Sequence, residues 1–294
     1  MSSLTGDGAT YMFYNCREFN SNISSWNVSG ITSMDYMFLY NYKFNSNLNS
    51  WDTSKVTSMR ETFVRNYEFN QPLNYWDTSK VTSMKKMFNL CTIFDQDLSD
   101  WDTSNVEDMS HMFNGATNFN CSGGNMGKWD VSKVLSYHNM FESATSFNAD
   151  ISNWNIRSGA YFHSTFKFAT SFNRDLSNWK NLAQTTSFQQ MFDGATSFSQ
   201  HLCWTYDETA VVTYMVRNTN SAIICNCPNN AIYHGDGSSC GYVCAEGYEE
   251  IWGVNGTLSC ELGYEYITNE EGEQFQCGPT SDREELYFYK CHRM

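Results

Sequence analysis

Residues 76–100, WDTSKVTSMKKMFNLCTIFDQDLSD, are answered almost column for column by residues 101–120, WDTSNVEDMSHMFNGATNFN. Tryptophan marks the register. Trp26, Trp51, Trp76 and Trp101 recur every 25 residues, and after an insertion of three residues Trp129, Trp154, Trp179 and Trp204 resume the period. A period in the range of about 20–50 residues is the signature of one small unit stacked on its own copies. Phe38, Phe63, Phe88, Phe113, Phe141 and Phe166 each follow their tryptophan by twelve residues. Phe44, Phe69, Phe94, Phe119, Phe147, Phe172 and Phe198 form a second aromatic column. Met34, Met59, Met84 and Met109, continued by Tyr137 and Phe162, make a third, and Val56, Val81, Val106 and Val134 a fourth.

Each unit divides into two pieces. Leu48-x-x-Trp51-x-Thr53 and Ile151-x-x-Trp154-x-Ile156 match the L-x-x-L-x-L pattern that makes one short strand. Val81, Met84, Met87, Phe88 and Cys91 then fall at steps of three and four, the spacing of one face of a short helix. The expected fold class is therefore an α/β repeat solenoid, leucine-rich-repeat-like, with one short strand and one short helix per coil. About eight such coils, rising by the strand spacing of about 4.8 Å, give a rod roughly 40 Å long over residues 1–217. An asparagine column (Asn20, Asn45, Asn70, Asn120, Asn148 and Asn173, with Asp95 standing in once) is expected to satisfy the backbone of neighbouring coils. Ligand binding is its lesser reading.

The stretch from Trp76 to Asn120 resembles the 25-residue repeat of BspA-like leucine-rich-repeat surface proteins. The resemblance covers roughly residues 9–217 and thins after residue 155, where Gly159 and Gln184 replace the valine and Lys180 the aspartate after tryptophan. It implies surface display, adhesion and protein binding, and it supplies no catalytic residues.

Charge separates a second region. The whole chain carries −14, which disfavours nucleic acid and anionic membranes as partners. Residues 1–204 hold 18 acids and 14 bases, whereas residues 205–294 hold 14 acids and 4 bases. The same region concentrates Cys203, Cys225, Cys227, Cys240, Cys244, Cys260, Cys277 and Cys291. Residues 218–294 are thus expected to be a small, acidic, disulfide-rich module, stapled because its apolar content is low. Zinc is the lesser alternative, since Cys225-x-Cys227 and Cys240-x3-Cys244 are poor knuckle spacings. Cys16 and Cys91 share a column with Ala116, Ala144, Ala169 and Ala195 and are expected in the core, and Cys121 in the insertion is expected to be a free or intermolecular thiol.

Motifs of catalysis are missing. His111, His138, His163, His201, His234 and His292 share no metal spacing, and there is no G-x-S-x-G, P-loop or G-x-G-x-x-G. No enzyme activity, cofactor or metal is expected. One aspartate per coil does not by itself supply the six to eight oxygens that calcium takes. The expected function is a surface or secreted interaction and adhesion protein that binds a protein or glycan partner through its array. A structural wall or matrix component is the alternative, and an ice- or crystal-face binder, on the files Thr53, Thr78, Thr103 and Thr57, Thr82, a more distant one. The candidate contact residues lie between the inward positions of the expected concave sheet: Asn27 and Ser29, Asp52 and Ser54, Asp77 and Ser79, Asp102 and Ser104, Asp130 and Ser132. Their competing reading is that they cap backbone groups at turns. No secretory signal or membrane-spanning run is present, and the opening TYMFYNCREFN reads as half a coil, as expected for a piece of a longer array. Asn22-Ile-Ser, Asn27-Val-Ser and Asn255-Gly-Thr, with the cysteine-rich tail, point outside the cell.

Overall fold

The computed structural model describes residues 4–226 and, beyond them, strand segments 231–233, 242–244, 248–252, 258–262, 267–268, 274–279 and 289–293. The chain divides into two compact units. One is Met1–Gln200 with Tyr206–Ala222, the other His201–Thr205 with Ile223–Met294.

The first unit is built from its side chains outward. Phe38, Phe63, Phe88, Phe113, Phe141 and Phe166 stack in one file, with ring centroids 5.5–5.7 Å apart and planes within 8° of parallel. Phe44, Phe69, Phe94, Phe119 and Phe147 form a second file at 5.9–6.1 Å. Within a repeat the two files touch, as in Phe88–Phe94 at 4.1 Å. Tryptophan makes a third, with Trp76–Trp101 at 6.5 Å. These rings are almost wholly buried, and each large ring removes about 150–250 Å² from water. Trp26, at 36% exposure, is the exception in its column. Each buried indole N–H also needs an acceptor, and it finds one a repeat away: Trp76 Nε1 donates to Leu48 O at 2.9 Å and Trp101 Nε1 to Leu73 O at 2.9 Å.

The expected α/β solenoid, with a strand and a helix in every coil, is not what these repeats form. Among the described residues there is no α-helix. In the run expected to be helical, Lys86 and Leu90 have φ of 54° and 59°, and the same two columns are left-handed in repeat after repeat, at Tyr36 and Tyr40, Glu61 and Arg65, Asn139 and Ser143. The backbone amides alternate in direction. Met84, Lys86, Phe88 and Leu90 donate sideways to Asp108, Ser110, Met112 and Asn114 at 2.7–3.0 Å, while Met87, Asn89 and Cys91 close three-residue turns onto Met84, Lys86 and Phe88 at 3.0–3.1 Å. The physical reason is spacing. Packed helices need about 8–10 Å between axes. The stacked phenylalanines hold successive repeats at 5.5–5.7 Å, which leaves no room for a helix in each.

The expected strand is displaced as well. Trp51 N closes a turn on Leu48 O at 3.0 Å, and residues 51–53 are in no strand. Parallel bridging falls instead on single residues further along, Ser33–Ser58–Ser83–Asp108–Ser136–Tyr161. Within this first unit, the longer parallel pairing among the described residues is β1 (Thr5–Gly6) with β2 (Gly30–Ile31). There is no continuous sheet at residues 52–54 for a concave face.

The insertion forms a 3-10 turn, Met126–Lys128, N-capped by Asn125. Met126 fills the leucine column and its carbonyl accepts the Trp154 indole at 2.8 Å, so the added residues leave the register intact. Cys91 and Cys121 are buried, whereas Cys16 is exposed, contrary to its expected core position, because no described repeat covers its side of the stack and Phe13 and Phe19 beside it are only half-buried.

The second unit is organised by backbone pairing. β3 (His201–Trp204) runs parallel to β4 (Ile223–Asn226). β5 (Ala231–Tyr233) and β6 (Tyr242–Cys244) pair antiparallel, as do β7 (Tyr248–Trp252) and β8 (Leu258–Leu262). β9 (Ile267–Thr268), β10 (Gln274–Pro279) and β11 (Tyr289–Arg293) make a three-stranded antiparallel sheet. The expected disulfide-rich module is corrected in part: Cys203 is disulfide-bonded, but no complete cysteine pair is defined among the described residues. Cys227 and Cys240 lie outside those residues; Cys225, Cys244, Cys260, Cys277 and Cys291 take part as strand backbone.

Candidate functional site

Asn27, Asp52, Asp77, Asp102 and Asp130 occupy one column, and each closes the same small turn. The Asp52 Oδ1 accepts from Ser54 N at 3.1 Å and from Ser54 Oγ at 2.6 Å. Asp77 does the same with Ser79 at 3.0 and 2.6 Å, and Asn27 with Ser29 at 3.2 and 2.8 Å. Asp102 accepts from Ser104 N at 3.0 Å and Asp130 from Ser132 N at 2.9 Å. The serines are half-buried and the acids exposed. Donation by the serine hydroxyl, then by its amide, holds the carboxyls of Asp52, Asp77 and Asp130 below the ordinary carboxylate range. The capping geometry is thus present at every candidate position, and the turns still present a file of ionised carboxylates to solvent.

The residue between each acid and its serine faces the other way. Thr53, Thr78 and Thr103 are buried, and their hydroxyls donate to Asp77 O, Asp102 O and Asp130 O at 2.9–3.0 Å. They are stitches between repeats and form no outer threonine face. Thr57 and Thr82 are exposed, with hydroxyls 3.2 Å from Thr32 O and Thr57 O.

A second file of such turns escaped the sequence reading. Asn22, Asn47, Asp97, Asp150 and Asp175 each accept from the amide two residues on, at Ser24, Asn49, Ser99, Ser152 and Ser177 (2.8–3.0 Å). The recurring Asp-[Leu/Ile]-Ser before tryptophan was its available signal. Beside it runs the asparagine column. Asn20 Oδ1 accepts from Asn45 N, Asn45 from Asn70 N, Asn70 from Asp95 N, Asp95 from Asn120 N, and Asn120 from Asn148 N, all at 2.7–3.0 Å.

His111, His138 and His163 lie side by side on successive repeats, ring centroids 4.8 and 4.9 Å apart. Burial, then His138 and the nearby lysines, lowers His111 to about 4. Burial and His163 lower His138. Among the described residues no group of three or more His, Cys, Asp or Glu side chains is arranged to hold a metal ion. Nor is any helix among them long and apolar enough to cross a membrane.

Stacked aromatic files, stitched turns and a 25-residue register define a repeat protein. A family model described as "Mycoplasma protein of unknown function, DUF285" matches residues 8–124 and 120–224, and the chain belongs to that family. No curated protein and no solved structure matches it.

Proposed function

We propose that this chain is a surface or secreted interaction protein, of the BspA-like kind, that engages a protein or glycan partner outside the cell through its repeats. One observation carries the reading: the carboxylates of Asp52, Asp77, Asp102 and Asp130 are exposed and individually held by their serines, one to a repeat. Fixed, evenly spaced charges steer and orient a partner at little ordering cost. The core columns leave these outward positions open to selection by a partner. Membership of a repeat family and the resemblance to surface-displayed repeats support the location. The role requires no chemical step, cofactor or metal.

The test is the triple variant Asp52→Asn, Asp77→Asn, Asp102→Asn. Asn27 closes the same turn with Ser29, so the substitutions preserve the fold while removing three charges. Partner capture from matrix or cell-surface extracts is expected to weaken markedly and the wild-type interaction to weaken with salt. Undiminished capture by a folded triple variant refutes the reading.

A further inference from the structure

We propose that the first repeats carry a subsite for a neutral oligosaccharide, in an open cleft of about 370 Å³ lined by Asn20, Asn22, Ser24, Asn45, Asn47 and Gln71. The inference rests on the array being a binding surface and names one ligand class and one place on it. The volume sits at the low end of the roughly 300–1,000 Å³ usual for small-ligand sites.

The chemistry follows from which way the amides point. Asn20 Oδ1 accepts from Asn45 N, Asn22 Oδ1 from Ser24 N, Asn45 Oδ1 from Asn70 N, and Asn47 Oδ1 from Asn49 N. A backbone N–H can only donate, so each carboxamide is fixed with its oxygen turned to the chain. The Nδ2 groups of these four asparagines find no partner among the described residues. The cleft therefore presents several oriented N–H donors, without a charged side chain in its lining.

The fold does not require those donors. At the position of Asn22 and Asn47, later repeats use Asp97, Asp150 and Asp175, which accept the same backbone bond at 2.8–3.0 Å. At the position of Asn20 and Asn45, Asp95 accepts from Asn120 N at 2.8 Å. An acceptor is all the turns demand, so the NH₂ groups are surplus to folding; those of Asn20 and Asn45 recur down their column at Asn70, Asn120, Asn148 and Asn173, whereas those of Asn22 and Asn47 give way to carboxylates in the later turns. A ligand rich in hydroxyl and ring oxygens and lacking charge matches them. An apolar protein anchor does not, because the lining offers no aromatic or aliphatic pocket.

The full chain is titrated calorimetrically with maltohexaose, cellohexaose, chitohexaose and mannohexaose. At least one is expected to bind, and the isosteric double variant Asn22→Asp, Asn47→Asp is expected to lose tenfold or more of that affinity with an unchanged melting temperature. Absence of binding by all four sugars overturns the proposal, as does undiminished binding by the folded double variant. Either failure leaves the aspartate file intact as a protein-binding surface. Conversely, sugar binding lost in the asparagine pair, beside partner capture undiminished in the Asp52/Asp77/Asp102 triple variant, refutes the aspartate reading and keeps this one.

Discussion

Gly115→Ala separates a helix from the observed run of turns, because the two give opposite signs. In a helix interior, alanine in place of glycine gains about 1 kcal/mol. Here Gly115 has φ of +70°, in the left-handed column shared with Leu90 and Ser143, and its amide donates to Glu142 O at 2.8 Å. An L-side chain in that conformation costs about 1–2 kcal/mol. Restricting the unfolded chain returns about 0.4–1 kcal/mol. The added Cβ would also lie 2.4 Å from Leu90 Cδ2, so the leucine must swing from its rotamer at about 0.5–1.5 kcal/mol. The net expectation is a loss of about 1–2 kcal/mol. Urea unfolding followed by tryptophan fluorescence reads it as a lower midpoint at unchanged slope. In a Leu90→Ala background the clash disappears and the loss made by Gly115→Ala should shrink, leaving the backbone contribution alone. A midpoint that rises on Gly115→Ala would refute the turn geometry and restore the helix.

Trp76→Ala or Trp101→Ala should each cost about 3–5 kcal/mol through the cavity opened between stacked neighbours, against about 1 kcal/mol for Asp77→Ala, which loses a turn cap; equal small losses in denaturant titration would contradict the inward placement of the indoles. Asn70→Ala, which orphans Asp95 N and leaves the Gln96 amide only the Asn70 backbone carbonyl, should destabilise by about 1–3 kcal/mol, whereas Asn70→Asp should be mild because Asp95 already serves in that column. His111 titrates at about 4 when folded and near 6.5 when unfolded, so the unfolded chain binds more protons between those values. Its stabilisation is complete above about pH 6.5 and lost as the pH falls towards 4, about 1–2 kcal/mol after allowing for solvent screening; His111→Gln should flatten the stability profile in that window, with His138, Lys85, Lys86 and Asp108 as the neighbouring charges. Of the three free thiols among the described residues, Cys16 should be alkylated fastest under native conditions and Cys91 and Cys121 only on unfolding, as burial raises both, Cys121 to about 11; peptide mapping after a short alkylation pulse decides it.

The sequence by itself determined the period, the buried columns apart from Cys16 and Trp26 in the first repeats, and the bonding role of the asparagines. Large rings repeated at one interval can only be hidden from water by one another, so Trp76, Phe88 and Phe94 declare their surroundings without reference to backbone conformation. It also turned Asp52, Asp77 and Asp102 outward, but on a concave sheet that does not form; the structure puts them on turns that they both cap and expose. What only the tertiary structure decided is the path of the chain between those columns. Apolar residues three and four apart, as in Val81, Met84, Met87 and Phe88, suit a helix and suit equally a run of turns whose alternate amides leave sideways. The choice is made by the neighbouring repeat, which sits 5.5–5.7 Å away on its stacked phenylalanines and takes the hydrogen bonds that a helix would have kept. That distance is a property of the stack, and no single 25-residue window contains it.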